Sequence, residues 1–417
     1  MVQLKKDTLS TERKLIKFKI ALSKILKNIS YKTRTKNLFV NDALGQLLAE
    51  DIFARRNVPP YSNSAVDGYA IRFNDTKNNL ERTFTITGKY KAGSYYKEAL
   101  KKMCTVRVLT GATLPKGSDT VIMEEDCQVN GNKIIFPNKI IKGINYRSLG
   151  EDIKIKDKIF SKGHKILPQD IGILSSLGLK KVKINIPLKI NVFSSGDEIM
   201  NSHKKLDEGQ LYDSNRPMII NLLLKIGCTV KDLGILPDNR KKILNNLISA
   251  SKNCDLIISS GAMSLGDEDH IRDIIEKNGS LDIWRLAIKP GRPVGYGYFK
   301  NTPILALPGN PVAAFVTFLI IGIPLIKKMS GAKHINPTKY KLPVNFIYKK
   351  KPGRIEYLRV RTININGRLM LEKFHKEGAG ILTSTSWADG LAILDEETIQ
   401  LNYNDLVNYI SFNEILS

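Results

Sequence analysis

The feature that most constrains this chain lies between residues 187 and 330, where strand-like and helix-like segments alternate across short connections. "PLKINVFSSGDEI" reads as a strand entering a loop, "RPMIINLLLKIG" as a helix, "CTVKDLGILPD" as a strand and "NRKKILNNLISASKN" as a helix. "CDLIISSGAMSLGDED" is a strand that runs into a Gly/Ser/acidic loop, "HIRDIIEKNG" is a helix, and "ILALPGNPVAAFVTFLII" is strand, turn and helix. Such alternation predicts a largely parallel sheet with helices on both faces. Ligands of such sheets bind beyond the carboxyl ends of the strands. Those ends carry the unusual loops here: SSGDE, SSGAMSLGDED and LPGNP.

The flanking segments have other periods. Residues 9–29 read as a helix, with Ser10 as a cap and Leu15, Phe18, Leu22, Ile25, Leu26 and Ile29 on one face. From 52 to 150, short β-prone runs alternate with Gly, Pro and Asn turns, which predicts a small mostly-β module. Residues 151–186 are mixed, and 331–417 return to short strands. A chain of 417 residues is too long for one core. The predicted architecture is α/β and multidomain. Residues 1–51 plus 151–186 form an N-terminal mixed domain, 52–150 an inserted β module, 187–330 the α/β domain and 331–417 a C-terminal β-domain.

The formal net charge of +25 first suggests nucleic acid. Yet the lysines are spread along the chain, the densest run is "YKKKPGR", and no helix-turn-helix, zinc-finger or RNP pattern occurs. A solvated basic surface or a small polyanionic ligand is the better reading, with no nucleic-acid partner. Four scattered cysteines without CxxC argue against a zinc site or a disulfide framework and fit a reducing, cytoplasmic setting. The first residues lack a continuous apolar run, so no signal peptide is expected. The longest apolar stretch, "AAFVTFLIIGIPLI", reads as too short to span a bilayer and as a buried helix broken at Pro324. No membrane partner is expected.

Gly-rich turns entering a helix offer backbone N–H groups to phosphate. In SSGAMSLGDED, glycines free the backbone, hydroxyls donate, and Asp269 can hold a Mg²⁺ that bridges to phosphate, although a Gly-Ser loop with acids, taken alone, is more commonly a helix N-cap. SSGDE repeats the theme at another strand end. Neither GxxxxGK[ST] nor GxGxxG occurs, so neither a P-loop nor a standard dinucleotide fold is supported.

"VPPYSNSAVDGYAIR" (Val58–Arg72) resembles the signature of the molybdopterin molybdenumtransferases, the MoeA family, whose relatives include the gephyrin E domain. The resemblance continues in order through "VLTGATLPKGSDTVIMEED", "RSLGEDI", "FSSGDEI", "GQLYDSNRPM", "DLIISSGAMSLGDED", "KPGRP", "LPGNP", "GRIEYLR" and "GAGILTSTSWADGLAIL". It implies four domains, an elongated homodimer, and insertion of molybdenum into adenylylated molybdopterin with Mg²⁺ and release of AMP. It also implies a molybdopterin adenylyltransferase and acceptor molybdoenzymes as possible partners.

Matched position by position, the resemblance places Asp67 in a module that closes the neighbouring subunit's cleft. Thr110, Asp152, Glu198 and Asp238 match further active-site positions. Asp269, with Glu198 or Asp238, is the candidate Mg²⁺ set. Ser260, Gly261 and Ser264 belong to the substrate loop. Lys289 and Arg292 match the cations of the molybdate site, with Arg354 and Ser384 as co-ligands and Pro308 and Pro311 as wall. Asp238 could instead cap the helix that follows it, and Glu198 could be a surface acid. The sequence departs from the family pattern at Val66, Ala262, Arg292 and Ala379, none of which removes a charged catalytic group. Ala262 would be strained if its position needs φ > 0.

Four rival readings are weaker. The adenylyltransferase of the same superfamily is a single α/β domain. The related nicotinamide-nucleotide amidase group lacks DGYA. A receptor-binding scaffold would not need the retained acids. Nucleic-acid binding rests on charge alone.

Overall fold

The structure is a computed structural model that describes residues 15–31, 34–77, 81–94, 98–261 and 270–417. Its central sheet has six strands in the order Thr229–Leu236, Lys189–Ser195, Leu256–Ser260, Thr302–Leu307, Pro293–Phe299 and Gly279–Arg285. The first four run parallel, as the alternation predicts. The last two join antiparallel. Within each strand, successive side chains go to opposite faces. Val192 and Ile258 meet the helices Asn215–Lys225 and Pro311–Thr317 in one core, whereas Phe193 and Ile257 meet Arg240–Ser251 and His270–Asn278 in the other.

The apolar stretch after LPGNP differs from expectation. Pro311–Ser330 is one continuous helical run of 20 residues, long and apolar enough to cross a membrane by length and composition, and most of it is buried inside the protein. It is a core helix. There is no break at Pro324, because a π-helical segment, Phe318–Gly322, precedes it. Proline has no N–H to donate, and a wider turn lets the carbonyl ladder shift register around it. Gly331, at φ 76°, ends the helix in the left-handed region.

The N-terminal helix covers Phe18–Asn28, shorter than the expected 9–29, and the proposed cap Ser10 lies outside the described residues. Ile16 is not helical. Its N–H donates to the Arg285 carbonyl, tying this segment to the edge of the central sheet. Ala21, Ile25 and Ile29 join the core of the α/β domain.

Two further layers are built from distant segments. Thr35–Phe39 pairs antiparallel with Lys181–Asn185, and Ile52–Phe53 with Lys158–Phe160, around Val40, Leu48, Leu174 and Ile184. Between these segments sits a sheet in the order Thr120–Met123, Gly68–Ile71, Cys104–Val108, Thr83–Tyr90, Lys133–Ile135 and Gln128–Asn130. The C-terminal sheet is centred on the strand Ile355–Ile365. Its edge strand, Ile288–Lys289, comes from the α/β part of the chain and pairs parallel with Ile355 and Glu356. That pairing locks the KPGRP turn between two domains.

Candidate functional site

Three parallel strands deliver their carboxyl ends to one place. Gly261, at φ 85°, leaves so little room that a Cβ would sit 2.3 Å from the Ser195 carbonyl oxygen. Only glycine lets the two loops approach this closely. Asn215 Nδ2 donates to the Gly309 carbonyl at 2.7 Å and fastens the LPGNP turn to the same edge. Around this junction the hydroxyls of Ser194, Ser259 and Ser260 and Oδ1 of Asn215 are buried without a partner among the described residues. A buried polar atom left unpaired costs free energy. Four at one sheet edge fit a polar ligand that would complete them. Ser260 and Gly261 lie at this edge, while Ala262, Ser264 and Asp269 lie outside the described residues.

Acids gather beside this edge. The Asp238 N–H donates to Asp197 Oδ1 at 3.0 Å, and the Ser195 hydroxyl donates to Asp238 Oδ1 at 3.4 Å. Desolvation, then the charges of Asp197 and Glu198, hold the Asp238 carboxyl above its ordinary value. Asp238 does not cap the next helix; Asn239 does, its side chain accepting from the Lys242 N–H. Among the described residues no three such side chains converge as a metal site. Mg²⁺, however, is commonly held by one or two carboxylates plus waters and substrate phosphates, and these crowded, exposed oxygens suit it.

The pKa shift has a sign that can be tested. A carboxyl whose folded pKa exceeds its unfolded pKa binds more protons when folded, so stability falls as pH rises through that window. Well above that window the full cost is present. Without Mg²⁺, Asp238→Asn should raise Tm by about 1–2 °C at pH 7.5, small because the group is largely solvated, and by nothing below the ordinary carboxylate range. Added Mg²⁺ should stabilise the wild type more than the variant. Thermal melts at two pH values check both statements.

The KPGRP turn faces a cavity of about 620 Å³. Lys289, Arg292, Arg354 and Pro308 line it together with Arg285 and Arg359. Gly291, at φ 97°, could not carry a side chain, since a Cβ would lie 2.2 Å from Thr317 Cγ2. Pro311 opens its helix at the first turn, as its position after LPGN predicts. It is Asn310 and Ala313 that reach the cavity wall. Ser384 is fully buried behind the wall, where its hydroxyl accepts from Arg359 Nε at 3.1 Å and donates to the Ile381 carbonyl at 2.6 Å. It therefore fixes Arg359 rather than lining the cavity itself.

Sequence reasoning missed Arg285, Arg359, Glu356, Tyr348 and Asp197. Arg359 and Glu356 were within reach, because they share the GRIEYLR segment with Arg354. Tyr348 was passed over as the start of a basic run. Burial, then its hydrogen bond to Glu356, pushes its phenol up, so the hydroxyl stays a donor.

Asp67, Thr110 and Asp152 stand apart; none lines that cavity. Asp67 Oδ1 accepts from both the N–H and the hydroxyl of Thr110, each at 2.7 Å. Those bonds hold the exposed carboxyl below its ordinary value. The module thus presents a carboxylate anchored through Oδ1 to whatever faces it. Asp152 is exposed, and its backbone N–H donates to the Val58 carbonyl at the base of the module.

Comparison with known proteins gives a consistent result. Residues 16–178 match the family described as MoeA N-terminal region (domain I and II), 191–328 a probable molybdopterin binding domain, and 341–412 the MoeA C-terminal region (domain IV). The molybdopterin molybdenumtransferase of Haemophilus influenzae is 36% identical over 399 residues, 95% of this chain and 98% of that protein. A molybdopterin molybdenumtransferase from Nostoc is 30% identical, covering 84% of this chain and 83% of its own length. The crystal structure of the molybdopterin biosynthesis MoeA protein from Pyrococcus horikoshii superposes with a TM-score of 0.83 at 28% identity, covering 96% of this chain and all of that one.

Proposed function

The chain belongs to the MoeA family of molybdopterin molybdenumtransferases, and from that premise we propose that it is the enzyme that inserts molybdenum in molybdenum cofactor biosynthesis. The substrates are adenylylated molybdopterin and molybdate. AMP leaves, and molybdenum stays on the two dithiolene sulfurs. The reaction follows an adenylyl transfer and precedes delivery to molybdoenzymes.

The observation that carries this reading is the placement of two different receptors side by side. The unpaired hydroxyls at the sheet edge suit the polar pterin nucleotide, and the cation-lined cavity suits a small oxyanion. Both meet at the LPGNP turn, whose Gly309 faces Gly261 and whose Pro308 lines the cavity. Lys289 and Arg292 would neutralise molybdate. A unit charge 4 Å away is worth about 4 kcal/mol at an effective dielectric constant of 20, enough to order a dianion. Arginine at position 292 adds a planar fork that fits two oxygens at once. Rigid turns matter because the oxyanion must be held against two sulfurs, and misplacement by an ångström is costly.

Glu198 and Asp238, with Asp269, would hold Mg²⁺. The ion would supply positive charge to the phosphate oxygens of the substrate. Asp67 and Thr110 act from the β module, which completes the cleft of the other subunit in a homodimer.

Lys289→Ala and Arg292→Ala test the subsite assignment. Each should raise the molybdate concentration for half-maximal AMP release by about tenfold or more, while half-saturation by adenylylated molybdopterin changes less than about twofold. Weakened nucleotide binding with an unchanged molybdate dependence would mean that the two subsites are exchanged.

A further inference from the structure

Glu356 is 4% exposed and has no place in the reaction described above. It stands opposite Lys289 in the parallel pairing that joins the α/β domain to the C-terminal sheet. Its Oε1 lies 2.7 Å from Lys289 Nζ and accepts from the Tyr348 hydroxyl at 2.6 Å. Lys289 Nζ in turn donates to the Tyr348 oxygen at 3.3 Å. The three groups close a triangle. An ammonium has three N–H donors, so among the described residues two are committed and one is left. The Lys289 side chain is 49% exposed and that of Glu356 only 6%. The carboxylate is thus the buried anchor and the ammonium the accessible end.

A carboxylate on the wall of an anion cavity is a puzzle if the cavity only attracts anions. It repels them, and its burial is tolerable only because it is paired and hydrogen-bonded. What it supplies is geometry. A lysine on four methylenes can wander over several ångströms, and a partner from a second domain removes that freedom. Ile355 and Tyr357 of the same strand pack into the α/β core, whereas Leu358 and Val360 pack into the C-terminal core. Glu356 is therefore held by both domains at once.

We propose that Glu356, with Tyr348, is a positioning residue for the oxyanion: it fixes the Lys289 ammonium across the boundary between the α/β and C-terminal domains so that its remaining N–H meets molybdate. This rests on the reading of Lys289 as a molybdate ligand. Glu356 touches no substrate and acts only through Lys289.

A double-mutant cycle tests it. Molybdate dependence of AMP release is measured for the wild type, Glu356→Ala, Glu356→Gln, Glu356→Asp, Lys289→Ala and each Glu356 change combined with Lys289→Ala. Glu356→Ala should raise the half-saturating molybdate concentration about tenfold and leave that for adenylylated molybdopterin within about twofold. Glu356→Gln keeps an acceptor in place and should stay within about threefold of wild type. Glu356→Asp keeps the charge but withdraws it by one methylene, and should resemble alanine. If Glu356→Ala does not fold, Glu356→Asp carries the same test. In the Lys289→Ala background no Glu356 substitution should add to the defect. Equal multiplication of the defect in both backgrounds overturns the proposal, as does a wild-type molybdate dependence in Glu356→Asp. AMP release by the wild type that ignores molybdate altogether would instead overturn the parent reading, and this one with it.

Discussion

Asp67→Ala is expected to leave a folded protein whose AMP release falls by about 100-fold or more, the loss typical of removing one positioned acid or base. The fold should be indifferent, because Asp67 is exposed, its carboxylate accepts among the described residues from Thr110, another exposed residue, and its backbone carbonyl, which accepts from the Glu124 N–H, is untouched by the substitution. A Thr110 N–H that loses its partner there can bond water. Activity should not be indifferent. The two bonds from Thr110 hold the carboxyl below its ordinary value and aim it. Thr110→Val should lose less than Asp67→Ala, since the backbone N–H still anchors the carboxylate. Normal turnover by Asp67→Ala, with an unchanged melting temperature, would remove the module from the mechanism.

The second large effect is a gain. Asp67 and the cavity at Lys289 are both required in this account, yet Asp67 does not line the cavity of its own chain. If the module completes the cleft of a second subunit, two inactive proteins should rescue each other. Asp67→Ala would be co-expressed with the double variant Lys289→Ala/Arg292→Ala, which lacks both cations of the KPGRP turn. A mixed dimer then places all lesions in one cleft and leaves the other intact. With random mixing about half of the dimers are mixed and each has one working site of two. Roughly a quarter of wild-type activity should therefore return, a count that follows from two-fold symmetry. Mixed dimers that form and stay inactive would place the whole cleft within one chain.

The parts of this molecule that could be read in advance share a physical reason. Strand and helix periods are local, so the four parallel strands and their helices were legible from apolar spacing. Pro311 at the start of a helix was legible because proline has few alternatives, whereas the close approach of Gly261 to the Ser195 carbonyl was not. What could not be read depends on distant contacts. Gly279–Arg285 and Pro293–Phe299 are strands only because they pair with each other and with Thr302–Leu307; their Gly and Pro content argues locally for turns. The helix through Pro324 survives by a π-helical turn that no apolar pattern announces. Ser384 and Arg354 looked like equal co-ligands, whereas packing puts Ser384 behind Arg359. Glu356 looked like one more strand residue until the pairing of Ile288–Lys289 with a second domain's sheet set it against Lys289.

The most direct test of the central claim uses the unmodified protein. Adenylylated molybdopterin, molybdate and Mg²⁺ are mixed with it, and AMP and pterin-bound molybdenum are followed together. The account predicts AMP release that saturates with molybdate and leaves about one molybdenum on the pterin for each AMP formed. AMP release that proceeds equally well without molybdate, or no release from a protein that demonstrably holds both substrates, would contradict it.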